Sequence, residues 1–469
     1  MDQIAKLEEQ LSREASATYF IGRYYFVVNT FRIRRYFGLQ SGDDFSIEVQ
    51  RKVRSENAIS LLHEYIHYIH EISTVMGNAY LMIDVALKSI FSNDFDKNPK
   101  SCKHLGLNTE DGANFEKFVQ LHTTKETMNG HVMVDALILS VSKITIQDQM
   151  VQVPHEFGLA EEKIQLPIVT VLGFEGGDYK HMNLYLGKFF IYEGLAYELD
   201  RELERQFRKE TDIRDTNICT EYTVLRLVAN HLCPEATTRQ YLSLASLSLS
   251  YLDAGGSLVS LLKGAKEAIE KRRTIEDYLD QERHNVRALL KSKIDGFNEA
   301  QDELVEVFRK RADLFKAFSA LAGAAKDGYR TRADHPTFEV DLIFDGNYAN
   351  LLDLVPICDY MYVFTDEDAF DRDIFGTASH APDVSQSLRS LIAYDHYQKS
   401  HGVWSTDVLE SKVPVKCPFF GCCALDLRRT HEKICEQKPW RIFEISALTD
   451  QKYCSYGAGV GEFKSHTEA

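Results

Sequence analysis

The sequence predicts an α+β fold that is predominantly helical, and three observations carry that expectation. The stretch Leu61-Leu62-His63-Glu64-Tyr65-Ile66-His67-Tyr68-Ile69-His70-Glu71 has helical periodicity. Within and just beyond it, Leu62, Ile66, Ile69 and Met76 form one apolar stripe, with Ser73 its one small polar member. From Leu258 to about Ala325 the chain is charged, helix-favouring and poor in Gly and Pro. Strand-like segments are short and few: Tyr19 to Phe31, Lys143 to Val153 and Leu166 to Phe174.

Taken in order, residues 1–15 read as a short polar helix, and Tyr19 to Phe31 as one or two strands before a turn at Gly42-Asp43-Asp44. Ser55 suits the N-cap of the helix that follows, with Glu56 in its first turn. That helix is expected to run to about Met76 and to close at Gly77-Asn78 in a left-handed cap, with a second helix from Ala79 to Phe91. Its apolar stripe lies roughly 100° from the histidine face, so one face serves the core and another faces away. Residues 93–130 read as an irregular polar insertion. After the turn Gly176-Gly177-Asp178, a helix is expected over 181–208, then helices from Tyr222 to His231 and from Thr238 to Leu252. Gly255-Gly256 marks a joint, followed by two or three long amphipathic helices with a break near Asp295-Gly296. Leu351 to Phe364 is expected to return to the core, and 365–385 is acidic and loop-like. Three regions result: a catalytic region over 1–255 with an insertion at about 93–165, a helical accessory region over 256–410, and a small Cys/His module over 411–469.

Composition narrows the functional classes. The 469 residues are 44% hydrophobic and 26% charged, as in soluble globular proteins. A net charge of −16 disfavours a general nucleic-acid binder. The short basic runs Arg32-Ile33-Arg34-Arg35 and Lys271-Arg272-Arg273 read as solvated faces. The first residues lack the basic-then-apolar pattern of a signal peptide, and no apolar run is long enough to cross a bilayer. Nine cysteines, most of them scattered singly, suit a reducing compartment. The expectation is a cytoplasmic protein without membrane or nucleic-acid partners.

The chemistry centres on His63-Glu64-x-x-His67. Two histidines four apart on a helix sit one turn apart on one face, where two neutral imidazoles can hold a zinc ion. Glu64 is displaced by about 100° around the axis, so it can reach a metal-bound water without ligating the metal. A catalytic zinc takes three protein ligands and keeps one open position. Glu193, in Glu193-Gly194-Leu195-Ala196, is the candidate third ligand, because the small residues beside it let two helices approach closely. His70 shares the histidine face, but about 10 Å of rise from His63 is too long for all three to hold one ion. It is read as a substrate-cleft residue or a support for the ligands, with a second metal position at His67 and His70 as the alternative. Glu71 is read as solvated.

These two segments resemble the gluzincin branch of the zincin metallopeptidases, which pair His-Glu-x-x-His with a Glu on a later helix, often in a Glu-Gly-x-Ala pattern. The resemblance covers roughly residues 17–255. It implies a zincin-like core, a catalytic zinc on His63, His67 and Glu193, and hydrolysis of peptide bonds through a metal-activated water with Glu64 as general base. Two departures stand out. Well over a hundred positions separate His67 from Glu193, where many gluzincins need a few dozen. The family's supporting Asp, four residues after the ligand Glu, is here Tyr197, with Glu198 and Asp200 nearby. Tyr197, Tyr222 and His231 are candidates for contacting substrate and stabilising an oxyanion.

A second cluster lies near the C-terminus: Cys417, Cys422-Cys423, His431 and Cys435. Its spacing has the form of a Cys₃His structural zinc module, with Cys422 favoured over Cys423 for its shorter loop. Packed thiols or a disulfide are the alternative. The functional expectation is a zinc metallopeptidase selective for particular protein substrates, with room for a regulatory protein partner. A catalytically silent scaffold and a metal hydrolase of a non-peptide amide are the alternatives. A scaffold has no need to keep Glu64.

Overall fold

The computed structural model describes residues 17–20, 25–29, 56–97, 124–130, 140–152, 163–175, 178–208, 219, 221–347, 350–351, 362–365, 387, 390–397, 416–420, 430–442, 445, 454, 456–457 and 459–460. The fold is α+β and predominantly helical. In chain order the elements are β1 (Ala17–Phe20), β2 (Tyr25–Asn29), α1 (Glu56–Ser73), α2 (Val75–Lys97), β3 (Ser140–Gln147), β4 (Met150–Gln152), β5 (Lys163–Gln165), β6 (Ile168–Glu175) and β7 (Asp178–Tyr185). Then follow α3 (Lys188–Arg208), α4 (Val224–Leu232), α5 (Thr238–Ser248), α6 (Ala254–Glu270), α7 (Ile275–Glu306), α8 (Ala312–Asp334), α9 (Phe338–Phe344), β8 (Tyr362–Thr365) and α10 (Glu432–Gln437). The strands β1, β2 and β8 make one small sheet, with β8 parallel to β2. A second sheet is the antiparallel meander β3-β6-β7, and β4 pairs with β5.

The histidine helix α1 is the axis of the core. It packs on α3 and α8, with β1 and α2 also against it. From Tyr65 to Thr74 every residue is buried. Tyr65, Ile66, Tyr68, Ile69 and Ile72 each contribute on the order of 1.5–3 kcal/mol by leaving water. The sequence pattern assigns one stripe to the core. In the structure the opposite face is buried too, because α3 covers the histidines. One contiguous apolar cluster includes residues from α1, α3, α8 and α9, and the long helix α8 packs directly against the motif helix.

Four local expectations change. The helix break falls at Thr74, not at Gly77-Asn78. Thr74 Oγ1 accepts the Gly77 N–H at 2.9 Å and donates to His70 O at 2.6 Å, so Thr74 caps α2. A Cβ on Gly77 would overlap the backbone of His70 and Glu71, so the glycine permits the close turn rather than ending a helix. Residues 181–185 extend strand β7 instead of opening a helix. The hairpin pairs Glu175 with Asp178, and Met182 and Leu184 alternate into the core. Gly255-Gly256 lies buried in the first turn of α6. Finally, α7 runs unbroken through Asp295-Gly296, since the cost of one helical Gly, about 1 kcal/mol, is small against a helix of 32 residues packed on its neighbours. Its start is fixed instead by a capping box between Thr274 and Asp277. Residues 1–15, Gly42-Asp43-Asp44, Ser55 and 366–385 lie outside the described residues.

Candidate metal centre

Helices α1 and α3 run antiparallel, as the pairings Glu71–Lys188, His70–Tyr192 and His63–Asp200 require. This brings His63 and His67 opposite Glu193. The two Nε2 atoms lie 3.1 Å apart, and Glu193 Oε2 is 3.5 Å from His67 Nε2 and 3.8 Å from His63 Nε2. Ligand bonds of about 2.0–2.2 Å at tetrahedral angles put donor atoms about 3.3–3.5 Å apart, so these three atoms fit around one small divalent ion. Among the described residues this is the one group of three or more His, Cys, Asp or Glu side chains able to hold a metal ion.

The hydrogen bonds set the tautomer needed. His63 Nδ1–H donates to Asp200 Oδ2 at 2.7 Å, which leaves Nε2 as the free lone pair. Burial alone would lower the His63 pKa, but Asp200, then Glu193 and Glu64, raise it well above its ordinary value. Burial would raise the Glu193 carboxyl. His67 and His63 instead hold it well below the usual range, so it is ionised and ready to ligate. The site therefore has a carboxylate beside two imidazoles, and a metal ion competes with protons there.

Sequence reasoning left the supporting carboxylate unassigned among residues near Glu193, and the structure assigns it to Asp200. Seven positions return a helix to within about 20° of the same face, so Glu193 and Asp200 project together while Asp200 reaches the far side of His63. That periodicity was the available signal. Gly194 is small for a different reason than its sequence suggests: a Cβ there would overlap Leu225 of α4, not the motif helix. The close approach of α4 holds Tyr222, just before that helix, with its ring 6.3 Å from the His63 ring and 5.5 Å from Tyr197. Burial, then Glu193, pushes the Tyr222 phenol above its ordinary pKa, so it remains a hydrogen-bond donor. Glu64 is half-buried and its charge acts on both His63 and Tyr222. Side-chain exposure is 15% for His63 against 3% for His67, so the site opens on the His63 and Glu64 side.

Other expected site residues are placed elsewhere. His70 is fully buried with Nε2 3.2 Å from Glu339 Oε1, which rules out a cleft position. Glu71 is not solvated: it is buried, 3.0 Å from Lys188 Nζ, and that ammonium also sits over the Tyr80 ring. His231 is exposed on the last turn of α4, at the opposite end of the helix from Tyr222. Tyr197 is half-buried beside Tyr222 with Arg201 over its ring. In the second cluster, the Cys417 N–H donates to Cys435 O at 2.9 Å, and His431 flanks the start of α10 in a half-buried position. Cys417, His431 and Cys435 do not bring three ligand atoms within 4.8 Å of one another, and Cys422 and Cys423 lie outside the described residues. Among the described residues no helix is long and apolar enough to cross a membrane. Compared with known protein families, with curated proteins and with solved structures, the chain has no match.

Proposed function

We propose that this chain is a zinc metallopeptidase with a zincin-like, gluzincin-type core. The observation that carries the reading is the convergence of His63 Nε2, His67 Nε2 and Glu193 Oε2 beside Glu64. A zinc ion held by these atoms would supply Lewis-acid chemistry, polarising a carbonyl and lowering the pKa of a coordinated water to about 7. The protein's own part follows from its geometry. Glu64 takes the proton of the attacking water and returns it to the leaving nitrogen. Asp200 keeps the His63 proton on Nδ1 and fixes the ring. The Tyr222 phenol, held protonated, donates to the oxygen on which negative charge develops; Tyr197 packs behind it. Substrate would approach from the partly exposed His63 and Glu64 side, and the substrate class is protein or peptide in the cytoplasm.

The test is Glu64→Gln. It should retain stoichiometric zinc by elemental analysis and lose hydrolysis by at least about 100-fold. A search for new protein termini, comparing wild type with this variant, identifies substrates. Full activity in Glu64→Gln overturns the reading, as does a wild-type chain that binds no zinc when purified without chelator. His63→Ala removes this zinc. A further zinc that persists in His63→Ala and is lost in Cys417→Ser would belong to the C-terminal cluster.

A further inference from the structure

The motif helix carries a third histidine that the ligand set does not use. His70 follows His67 by three positions on α1, and side chains so spaced are neighbours on a helix. Both rings lean on Tyr192 of α3, at 5.0 Å for His70 and 6.5 Å for His67. His70 Nε2 faces Glu339 Oε1 at 3.2 Å. Glu339 also accepts the Ser246 hydroxyl at 2.6 Å and lies 3.1 Å from Arg332 Nη2. Arg332 is locked in turn: Nε donates to Ser73 Oγ at 3.0 Å, and Nη1 to Ser246 Oγ at 2.9 Å and Pro336 O at 2.8 Å. All these side chains are wholly buried.

The protons follow from this chain of contacts. Glu339 beside Arg332 is a carboxylate, so His70 Nε2 carries the proton it donates and His70 Nδ1 keeps a lone pair. Burial pushes the His70 pKa down to about 4, which keeps the ring neutral. His67 has the opposite need. Its Nε2 points at the shared ligand position, so its proton is on Nδ1. His67 Nδ1 is buried and meets no acceptor, and His70 Nδ1 is buried and meets no donor. An unmatched donor and an unmatched acceptor thus sit on residues three positions apart in a closed core, where burial penalises each if it is left unmet.

We propose that His70 is the positioning residue for His67, with one buried water bridging the two Nδ1 atoms. His67, water, His70, Glu339 and Arg332 then form a chain that fixes the second imidazole, as Asp200 fixes the first. The inference rests on the metal-centre reading. Buried waters of this kind bridge polar groups that would otherwise be unsatisfied. The chain reaches the metal helix from α8 and α9, which gives the region beyond residue 255 a direct role in holding the ligand.

The experiment measures Zn²⁺ affinity by competition with a chromophoric chelator for wild type, His70→Phe, His70→Gln and Ser73→Ala. His70→Phe keeps the ring volume without an acceptor and should bind zinc about 10- to 100-fold more weakly. His70→Gln restores an acceptor and should recover most of that loss. Ser73→Ala trims only the far end of the network and should stay within about twofold. In zinc-loaded protein carrying ¹⁵N-histidine, the His67 Nδ1–H should be protected from exchange in wild type and His70→Gln and exposed in His70→Phe. Wild-type affinity in His70→Phe overturns the proposal and leaves the metal centre standing. Equal weakness of the Phe and Gln variants, with no change in the His67 proton, reduces His70 to core packing and also overturns it. A wild-type chain that binds no Zn²⁺ overturns both readings.

Discussion

The two ends of the histidine stretch on α1 use the same residue type and arrive at different states. At the His63 end the imidazole is partly open, supported by Asp200 from α3, and raised in pKa. At the His70 end the imidazole is closed off completely, lies against Glu339 from α9, and is lowered to about 4. Both rings have a carboxylate at hydrogen-bond distance. The difference lies in what else is near. At His70 complete burial outweighs Glu339, with Arg332 adding to the fall, whereas at His63 Asp200, Glu193 and Glu64 together outweigh burial. Histidines on one helix thus reach different protonation states according to burial and neighbouring charge, and sequence spacing alone does not separate them.

Three changes test that contrast, from large effect to small. Glu339→Ala leaves Arg332 buried without its carboxylate and should destabilise the fold by about 3–5 kcal/mol, read by chemical denaturation with chelator present. A loss below about 1 kcal/mol would mean the closed end is not held by this pair. Asp200→Ala acts at the open end and should weaken zinc binding about 10- to 100-fold with a much smaller effect on metal-free stability. If the two variants showed the same pattern, the ends would not differ in kind. The third change is pH. The folded His70 pKa lies below its ordinary value of 6.5, so between about 6.5 and 4 the unfolded chain binds a proton that the folded chain refuses. The stability of wild type relative to His70→Phe should therefore fall as pH drops through that window, by up to about 3 kcal/mol. Glu339, lowered to about 2 as Arg332 and His70 overcome its burial, extends the acid loss below pH 4.5. A flat difference curve above pH 4 would contradict a buried neutral His70.

Much of the site was legible in the sequence because helical spacing is local. The pair His63 and His67 needed only the 3.6-residue repeat, and Glu193 the requirement for a third ligand together with the small residues and the Glu-Gly-x-Ala pattern beside it. Asp200 was within reach of the same rule, applied over two turns instead of one. What the sequence could not show depends on distant partners. Nothing near His70 or Ser73 announces Arg332 and Glu339, which lie more than 250 positions away. Gly194 reads as a contact for the motif helix, yet its neighbour is Leu225. Two fold errors were local and avoidable. The alternation Met182, Leu184 marks a strand, and Thr74 caps the Gly77 N–H, a signal as plain as the glycine that obscured it. The C-terminal cluster rests on ligand types at short spacing; among its described residues the backbone brings Cys417 to Cys435, while Cys417, His431 and Cys435 form no closed set of three.

The distance along the chain between the histidine stretch and its partners also orders events during synthesis. The helix with His63 and His67 leaves the ribosome long before α3, so the ligand set is incomplete until Glu193 and Asp200 have emerged. The Glu339 and Arg332 support comes later still, 269 positions after His70 in the case of Glu339. Contacts this far apart are slow to close and follow the local helices. A nascent chain therefore holds its two imidazoles without the contacts that fix them until α3, α8 and α9 have emerged. On the proposed reading, the complete support of the centre would exist only after most of the polypeptide has been made.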